Sequence, residues 1–134
     1  MTPEDQSWNA FLDRSCGLAE PIGAEVPFYA LWLYHGQVCN GGHHQYFQNL
    51  FDRRADWDLA AEAARLVGAM DVAENLEAAI RAWDRRGRSK IRTLFAFSAS
   101  AQEREFEAFD ARFFGMEKAL VDRLEAVIVK RRRD

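Results

Sequence analysis

Three side chains with metal-binding chemistry lie four residues apart in the first third of the chain: His35, Cys39 and His43. On one continuous helix this spacing would align an imidazole, a thiol and a second imidazole on one face, and zinc sites use such ligands. Residues 40–42, with two glycines, interrupt the series, and no second ligand pair follows. The spacing therefore favours packing or hydrogen bonding for these side chains over a metal site, and no cofactor is expected.

Cys39 and a neighbouring histidine also form a candidate nucleophilic pair. Such a thiolate needs a nearby base and a partly exposed, electropositive setting. Cys39 instead ends the most apolar run of the chain, where burial would raise the pKa of its thiol. The sequence therefore predicts that the protein is not an enzyme and that Cys16 and Cys39 are two buried thiols.

A dense polar and aromatic segment, NGGHHQYFQN, occupies residues 40–49. The paired glycines favour a helix end, because glycine adopts the left-handed backbone without a Cβ penalty. A buried polar group without a partner costs about 1–3 kcal/mol. Asn40, Gln45 and Asn49 are therefore expected to bond to backbone groups released at the bend. The remaining polar residues are expected to be exposed to a partner: His43, His44 and Gln48.

The segments that position these residues are predicted to be helices, because their apolar residues recur with helical spacing. A first helix opens at Thr2, a good capping residue. Residues 27–39 are apolar on nearly every side, which is typical of a central helix, and residues 43–51 follow as a short second piece. Residues 56–70 and 71–83 should form an antiparallel hairpin.

Two more helices complete the predicted fold. Residues 100–103 form a capping box ahead of a phenylalanine stripe, Gly115 ends that helix, and the last helix frays into a basic tail at residues 130–134. No segment alternates with a period of two, so no sheet is expected. The prediction is one all-α domain spanning residues 1–134, a bundle of about six to seven helices with a broken central helix at Gly41-Gly42.

Charge is unevenly distributed along this chain of net charge −3. Residues 1–84 contain 13 acidic and 5 basic residues, whereas residues 85–92 contain five basic residues and no acid. The basic segment lacks interleaved aromatics and adjoins the acidic block, so direct nucleic-acid binding is not expected. The acidic body suits a charged protein partner, with ordinary solvated helix faces as the alternative. Residues 85–99 are not assigned to helix or loop.

The chain also lacks membrane and export signals. No apolar run approaches the roughly 20 residues of a membrane span, and the N-terminus has neither the basic start nor the apolar centre of a signal peptide. A cytoplasmic protein is expected. Residues 94–97 are apolar and would suit either the core or a homodimer interface.

The central segment carries a family resemblance. Asn40-Gly41-Gly42, followed by Gln45-Tyr46-Phe47 and Asn49, resembles the NGGxxQYFxN signature of a family of small helical domains of unknown function. That family is also named after the C-terminal domain of a bacterial DNA-mimic protein. The resemblance spans about residues 25–130, and its central motif is the specific part.

The resemblance implies an all-α domain and, in the DNA-mimic member, a dimer whose acidic surface imitates DNA phosphates and occupies a transcription regulator. For this chain we expect a protein-binding module that contacts a basic or DNA-binding partner through acidic side chains. The candidates are Asp52, Asp56, Asp58, Glu62, Asp71, Glu74 and Glu77. The signature residues are not acidic and are expected to define the fold. An immunity-type inhibitor of a toxin, or a small metal-binding or enzymatic protein using His35, Cys39, His43 and His44, are the alternatives.

Overall fold

The computed structural model describes residues 1–85 and 106–133. Within these ranges the chain forms helices and no strand, which confirms the all-α class. The helices are α1 (Pro3–Ser15), α2 (Val26–Asn49), α3 (Arg54–Leu66), α4 (Met70–Arg85) and α5 (Glu107–Arg133), with a 3₁₀ turn at Gly23–Glu25 before α2. The described residues thus form five α-helices, where six to seven were predicted for the chain.

The first helix begins as predicted. The Thr2 hydroxyl accepts a hydrogen bond from the Asp5 backbone N–H at 3.0 Å, and the Asp5 carboxylate accepts one from the Thr2 N–H at 3.1 Å. This reciprocal pair satisfies two backbone donors that a helix start otherwise leaves free. Phe11 is fully buried, and its ring lies 5.5 Å from that of Tyr29 in α2. The α1 helix is therefore held at both its start and its inner face.

The long helix α2 is kinked at the paired glycines and continues on both sides of them. Gly41 has φ −152° and ψ 15°, and Gly42 has φ 79° and ψ −179°, both outside the helical range. The positive φ of Gly42 is a conformation that side chains with a Cβ rarely adopt. The bend lies at the predicted residues, and the helical stretches before and after it follow one another within Val26–Asn49 with no loop between them.

The predicted helix break at Gly115 is wrong. Residues Glu107–Arg133 form a single helix through this glycine. A glycine inside a helix costs about 1 kcal/mol relative to alanine, and the buried side chains on either side of it offset that cost. Those side chains are Phe113, Leu120, Leu124 and Ile128.

The predicted basic tail is likewise helical as far as Arg133. The Arg131 guanidinium lies 5.5 Å from the centre of the Phe28 ring, so a cation–π contact holds this turn against α2. The predicted capping box at residues 100–103 and the apolar residues 94–97 lie outside the described residues. So does the basic segment, except for Arg85.

The core between these helices is mainly aromatic. Tyr34, Tyr46, Phe47 and Phe113 are fully buried and Trp57 is nearly so. The Trp57 indole N–H donates to the carbonyl of residue 50 at 3.0 Å, which ties the end of α2 to α3. Aromatic rings contribute large buried areas and prefer such edge and tilted contacts. The core thus presses both halves of α2 against its neighbours.

The segments α3 and α4 form the predicted antiparallel hairpin. Arg54 pairs with Asp84 and Arg65 pairs with Glu77, both at 2.6 Å, so the numbering falls along α4 as it rises along α3. The first arm of the hairpin was predicted to start at residue 56, but α3 begins two residues earlier, at Arg54. None of the helices in the described ranges combines the length and apolar character that a membrane crossing requires.

Gly42→Ala should lower the free energy of unfolding by about 1–3 kcal/mol, the usual cost of a residue held in an unfavourable backbone region. A Cβ there would also lie 2.5 Å from the Asp110 carboxylate. Gly36 is the matched control, since it lies in the same helix, is exposed and has open space around a new Cβ. Gly36→Ala should raise stability by about 0.5–1 kcal/mol. Urea denaturation measures both, and equal effects of the two variants would contradict the kink.

Candidate functional site

His43 sits at the centre of the kink and is fully buried. Its Nδ1 lies 2.6 Å from Asp110 Oδ1, and its Nε2 lies 2.6 Å from the Tyr34 hydroxyl. A carboxylate only accepts hydrogen bonds, so the Nδ1 N–H donates to Asp110, and Nε2 shares the second hydrogen bond with the Tyr34 hydroxyl. The expectation that His43 is exposed to a partner is therefore wrong, because both ring nitrogens are bonded inside the protein.

Asp110 also serves the backbone at the kink. Its Oδ1 accepts the His43 backbone N–H at 2.8 Å, so a single carboxylate oxygen receives both donors of this residue. The backbone N–H just after the kink lacks a helical acceptor, as at any helix start. Asp110, from the distant α5, supplies that acceptor and so acts as a cap contributed by another helix.

The Asp110–His43–Tyr34 chain has the residue types of a proton relay, but its setting is structural. Tyr34 and His43 are both fully buried, so a substrate has no access to the hydroxyl or the imidazole. Burial also raises the pKa of Tyr34 well above its ordinary value, which keeps the hydroxyl protonated. This arrangement holds the kink and gives no support to an enzymatic role.

The signature amides come together at the surface around Gln37, which was not singled out from the sequence. The Gln37 Oε1 accepts from Gln45 Nε2 at 3.0 Å and from Asn49 Nδ2 at 2.9 Å. Asn40 Nδ2 in turn donates to Gln45 Oε1 at 3.4 Å. These amides were expected to bond to freed backbone groups, and they bond to one another instead. A Cβ at Gly41 would overlap the Gln45 side chain, which explains the first glycine.

The aromatic pair of the signature lies in the core. Tyr46 and Phe47 are fully buried, and the Tyr46 hydroxyl has no hydrogen-bond partner among the described residues. Burial raises the pKa of this phenol. The other two positions expected to face a partner, His44 and Gln48, are half-buried. The His44 ring packs 5.8 Å from that of Trp83 in α4, so it belongs to the packing between helices.

Two of the three metal-ligand candidates, His35 and Cys39, lie beside Glu117, a residue that the sequence analysis did not identify. His35 Nε2 lies 2.7 Å from Glu117 Oε1 and 3.6 Å from Cys39 Sγ. These three atoms lie within 4.8 Å of one another, so Glu117 takes the place proposed for His43. Cys16 and Cys39 are both exposed, contrary to expectation. Partial burial and then the Glu117 charge raise the pKa of the Cys39 thiol.

Both missed acids lie on one face of α5. Asp110 and Glu117 are seven residues apart, about two helical turns, and they contact His43 and His35, which are eight apart on α2. The two helices therefore run antiparallel along this contact, with Phe113 buried between the acids. The sequence feature that could have identified the two acids is their i and i+7 spacing on a helix, with the apolar Phe113 at i+3 on the same face.

A second buried polar cluster, also missed, joins α1 to the start of α2. The Arg14 guanidinium forms two hydrogen bonds with the Glu25 carboxylate, at 2.8 and 3.1 Å, and both residues are buried. The Tyr29 hydroxyl donates to the same carboxylate at 2.7 Å. Hydrogen bonding to Glu25 raises the pKa of Arg14. Neither charge was recognisable as buried from sequence, because Arg and Glu are usually exposed.

The acidic candidates divide into paired and unpaired side chains. Asp56 pairs with Arg53 at 2.7 Å, and Glu77 pairs with Arg65. The other five are exposed and form no ion pair with any residue that the structure describes: Asp52, Asp58, Glu62, Asp71 and Glu74. The hairpin therefore presents several carboxylates to solvent.

The family described as DMP19-like protein matches residues 23–131. The chain belongs to this family. The matched region begins at the 3₁₀ turn before α2 and includes both partners of the His43–Asp110 contact. No curated protein and no solved structure is a match to this DMP19-like chain.

Asp110→Ala in this DMP19-like protein should lower the free energy of unfolding by about 2–4 kcal/mol, since two donors of His43 lose their acceptor at about 1–3 kcal/mol each. Asp122→Ala on the same helix is the control. Its carboxylate is exposed and only 3.5 Å from an exposed lysine, so its effect should stay within about 0.5 kcal/mol. Urea denaturation compares them, and a small effect of Asp110→Ala would contradict the capping role.

The same substitution at two buried tyrosines should give opposite results. Tyr34→Phe removes the hydroxyl bonded to His43 and should cost about 1 kcal/mol or more. Tyr46→Phe removes a buried hydroxyl that has no partner within the described part of the chain, and it should leave the stability unchanged or raise it by up to about 1 kcal/mol. Urea denaturation of the two variants tests this difference. A clear loss in Tyr46→Phe would show that its hydroxyl is bonded after all.

Proposed function

We propose that this protein is a binding module for another protein, and that its acidic α3–α4 surface binds a basic, DNA-binding partner in the manner of a DNA mimic. The observation that carries the proposal is the set of exposed carboxylates on and next to the hairpin that form no ion pair with another described residue. The family resemblance of residues 40–49 supports it, because a DNA-mimic protein belongs to the family that shares the signature.

The geometry of the hairpin supports a shared acidic face. Arg54, Asp58, Glu62 and Arg65 recur every three or four residues and so lie along one face of α3. The pairs Arg54–Asp84 and Arg65–Glu77 set this face beside the matching face of α4. The carboxylate of Glu74 contributes to the negative electrostatic potential at Arg65, and the carboxylate of Asp58 contributes to the potential at Arg54. The exposed carboxylates of Asp58 and Glu74 therefore lie near the two arginines that join α3 to α4.

The charge balance of this surface favours a cationic partner. Residues 52–77 contain seven acidic and three basic residues, and each of the three arginines is already paired with a carboxylate. A partner's lysines and arginines would meet the remaining exposed acids, none of which forms an ion pair within residues 1–85 and 106–133. Complementary charge of this kind gives fast, salt-dependent association.

The kink contributes to this surface indirectly. Phe47, just beyond it, packs against Trp57 at 4.9 Å between ring centres, so the second half of α2 fixes α3. The signature residues in this proposal hold the hairpin in place, and the acids of α3 and α4 make the contact. Signature and binding surface are therefore separate parts of the molecule.

Affinity capture from a lysate of the source organism tests the proposal. The wild-type chain should retain a DNA-binding protein that duplex DNA displaces, and retention should fall about tenfold or more between about 50 and 200 mM salt. A variant with four carboxylates replaced by their amides should lose this partner. The four changes are Asp58→Asn, Glu62→Gln, Asp71→Asn and Glu74→Gln.

A control variant with the same change in net charge separates a defined surface from overall acidity. It replaces exposed acids elsewhere: Asp13→Asn, Glu20→Gln, Glu107→Gln and Asp122→Asn. This variant should bind as the wild type does. Equal loss in both variants, or a partner that DNA does not displace, would refute DNA mimicry. A DNA-insensitive partner lost only from the hairpin variant would instead support an immunity-type inhibitor.

A further inference from the structure

We propose that His35, Cys39 and Glu117 form a zinc site between α2 and α5, with solvent as a fourth ligand. The site is independent of the protein-binding surface proposed above. It combines one imidazole, one thiol and one carboxylate, the three side-chain types that bind zinc in proteins. Two come from adjacent turns of α2, and the third comes from the facing helix.

Of the ligand-atom separations, the one between sulfur and nitrogen already matches tetrahedral coordination, and the one between nitrogen and oxygen would have to widen. Zinc lies about 2.3 Å from sulfur and about 2.0–2.2 Å from nitrogen or oxygen. At tetrahedral angles these lengths require about 3.6 Å between sulfur and nitrogen and about 3.4 Å between nitrogen and oxygen. The Cys39 Sγ to His35 Nε2 distance is already 3.6 Å. The 2.7 Å between His35 Nε2 and Glu117 Oε1 is that of a hydrogen bond and would widen by about 0.7 Å as the metal replaces the proton.

The imidazole is fixed so that Nε2 faces the other two ligands. Its ring is stacked on Trp32 with 4.7 Å between centres and 11° between planes. The other nitrogen, Nδ1, is buried, so only Nε2 is directed at the cluster. Such a fixed ring reduces the ordering that metal binding requires. The ligands on the solvent side are more accessible, since Cys39 is exposed and the Glu117 side chain is 32% exposed.

The chemistry of the three groups selects zinc over the common hard cations. A thiolate and an imidazole favour zinc and its softer neighbours, whereas magnesium and calcium prefer sites built of oxygen ligands. A thiolate and a carboxylate together carry two negative charges, which balance the charge of Zn²⁺. With three protein ligands, one coordination position stays open to water, as in zinc sites that exchange or act on ligands.

Calorimetric titration of the metal-stripped, full-length protein with zinc chloride tests the site. We expect one zinc per chain, bound also in excess magnesium. Cys39→Ala should weaken binding by more than about 100-fold, because even groups behind the ligands contribute 10–100-fold to metal affinity. Glu117→Gln should weaken it by about 10-fold or more. Cobalt chloride should give a thiolate-to-cobalt charge-transfer band in the wild type and no such band in Cys39→Ala.

Cys16→Ala is the matched control, since Cys16 is the second exposed free cysteine and lies outside the cluster. Its zinc affinity should stay within about twofold of the wild type. Circular dichroism verifies folding, and Glu117→Gln changes a partly exposed group with little effect on packing. The site is refuted by the absence of one-to-one zinc binding, by unchanged affinity in Cys39→Ala and Glu117→Gln, or by an equal loss in Cys16→Ala.

Discussion

The rest of this fold depends on the two hydrogen bonds that Asp110 accepts from His43. They supply an acceptor for a backbone N–H left free by the kink and fix a fully buried imidazole against Tyr34. An unpaired buried donor costs about 1–3 kcal/mol, a large share of the 5–15 kcal/mol by which a domain of this size is stable. The kink is therefore tenable only while α5 lies against it, and the close approach of this carboxylate leaves no room for a Cβ at Gly42.

This contact organises both candidate surfaces. Asp110 and Glu117 lie on the same face of α5, so the register that brings Asp110 to His43 also brings Glu117 to His35. On the other side of the kink, Phe47 and the neighbouring Trp57 set α3 and thus the acidic hairpin. The register of α5 therefore brings Glu117 to His35 and Cys39. The kink in α2 positions the exposed carboxylates of the hairpin through the contact of Phe47 with Trp57. The two surfaces use different residues and can be tested separately.

Much of the fold was predictable because it rests on local features of the chain. The capping box at Thr2, the apolar run of α2, the antiparallel α3–α4 hairpin and the bend at Gly41-Gly42 all follow from residues close together in sequence. The prediction failed at Gly115, where the local cost of a glycine is smaller than the packing gain along α5. Local propensity is a weak guide wherever burial on both sides favours continuation of the helix.

The sequence by itself determined the helical class, the position of the kink and the family, since helical periodicity and the backbone freedom of glycine act over a few residues. Tertiary structure alone decided what each polar side chain does. His43 is buried between Asp110 and Tyr34. Glu117, and not His43, lies beside His35 and Cys39. Gln37 accepts hydrogen bonds from the signature amides of Gln45 and Asn49. The decisive partners of the two histidines are 67 and 82 residues away along the chain. Contacts at such separations depend on how whole helices pack, which no short sequence pattern specifies.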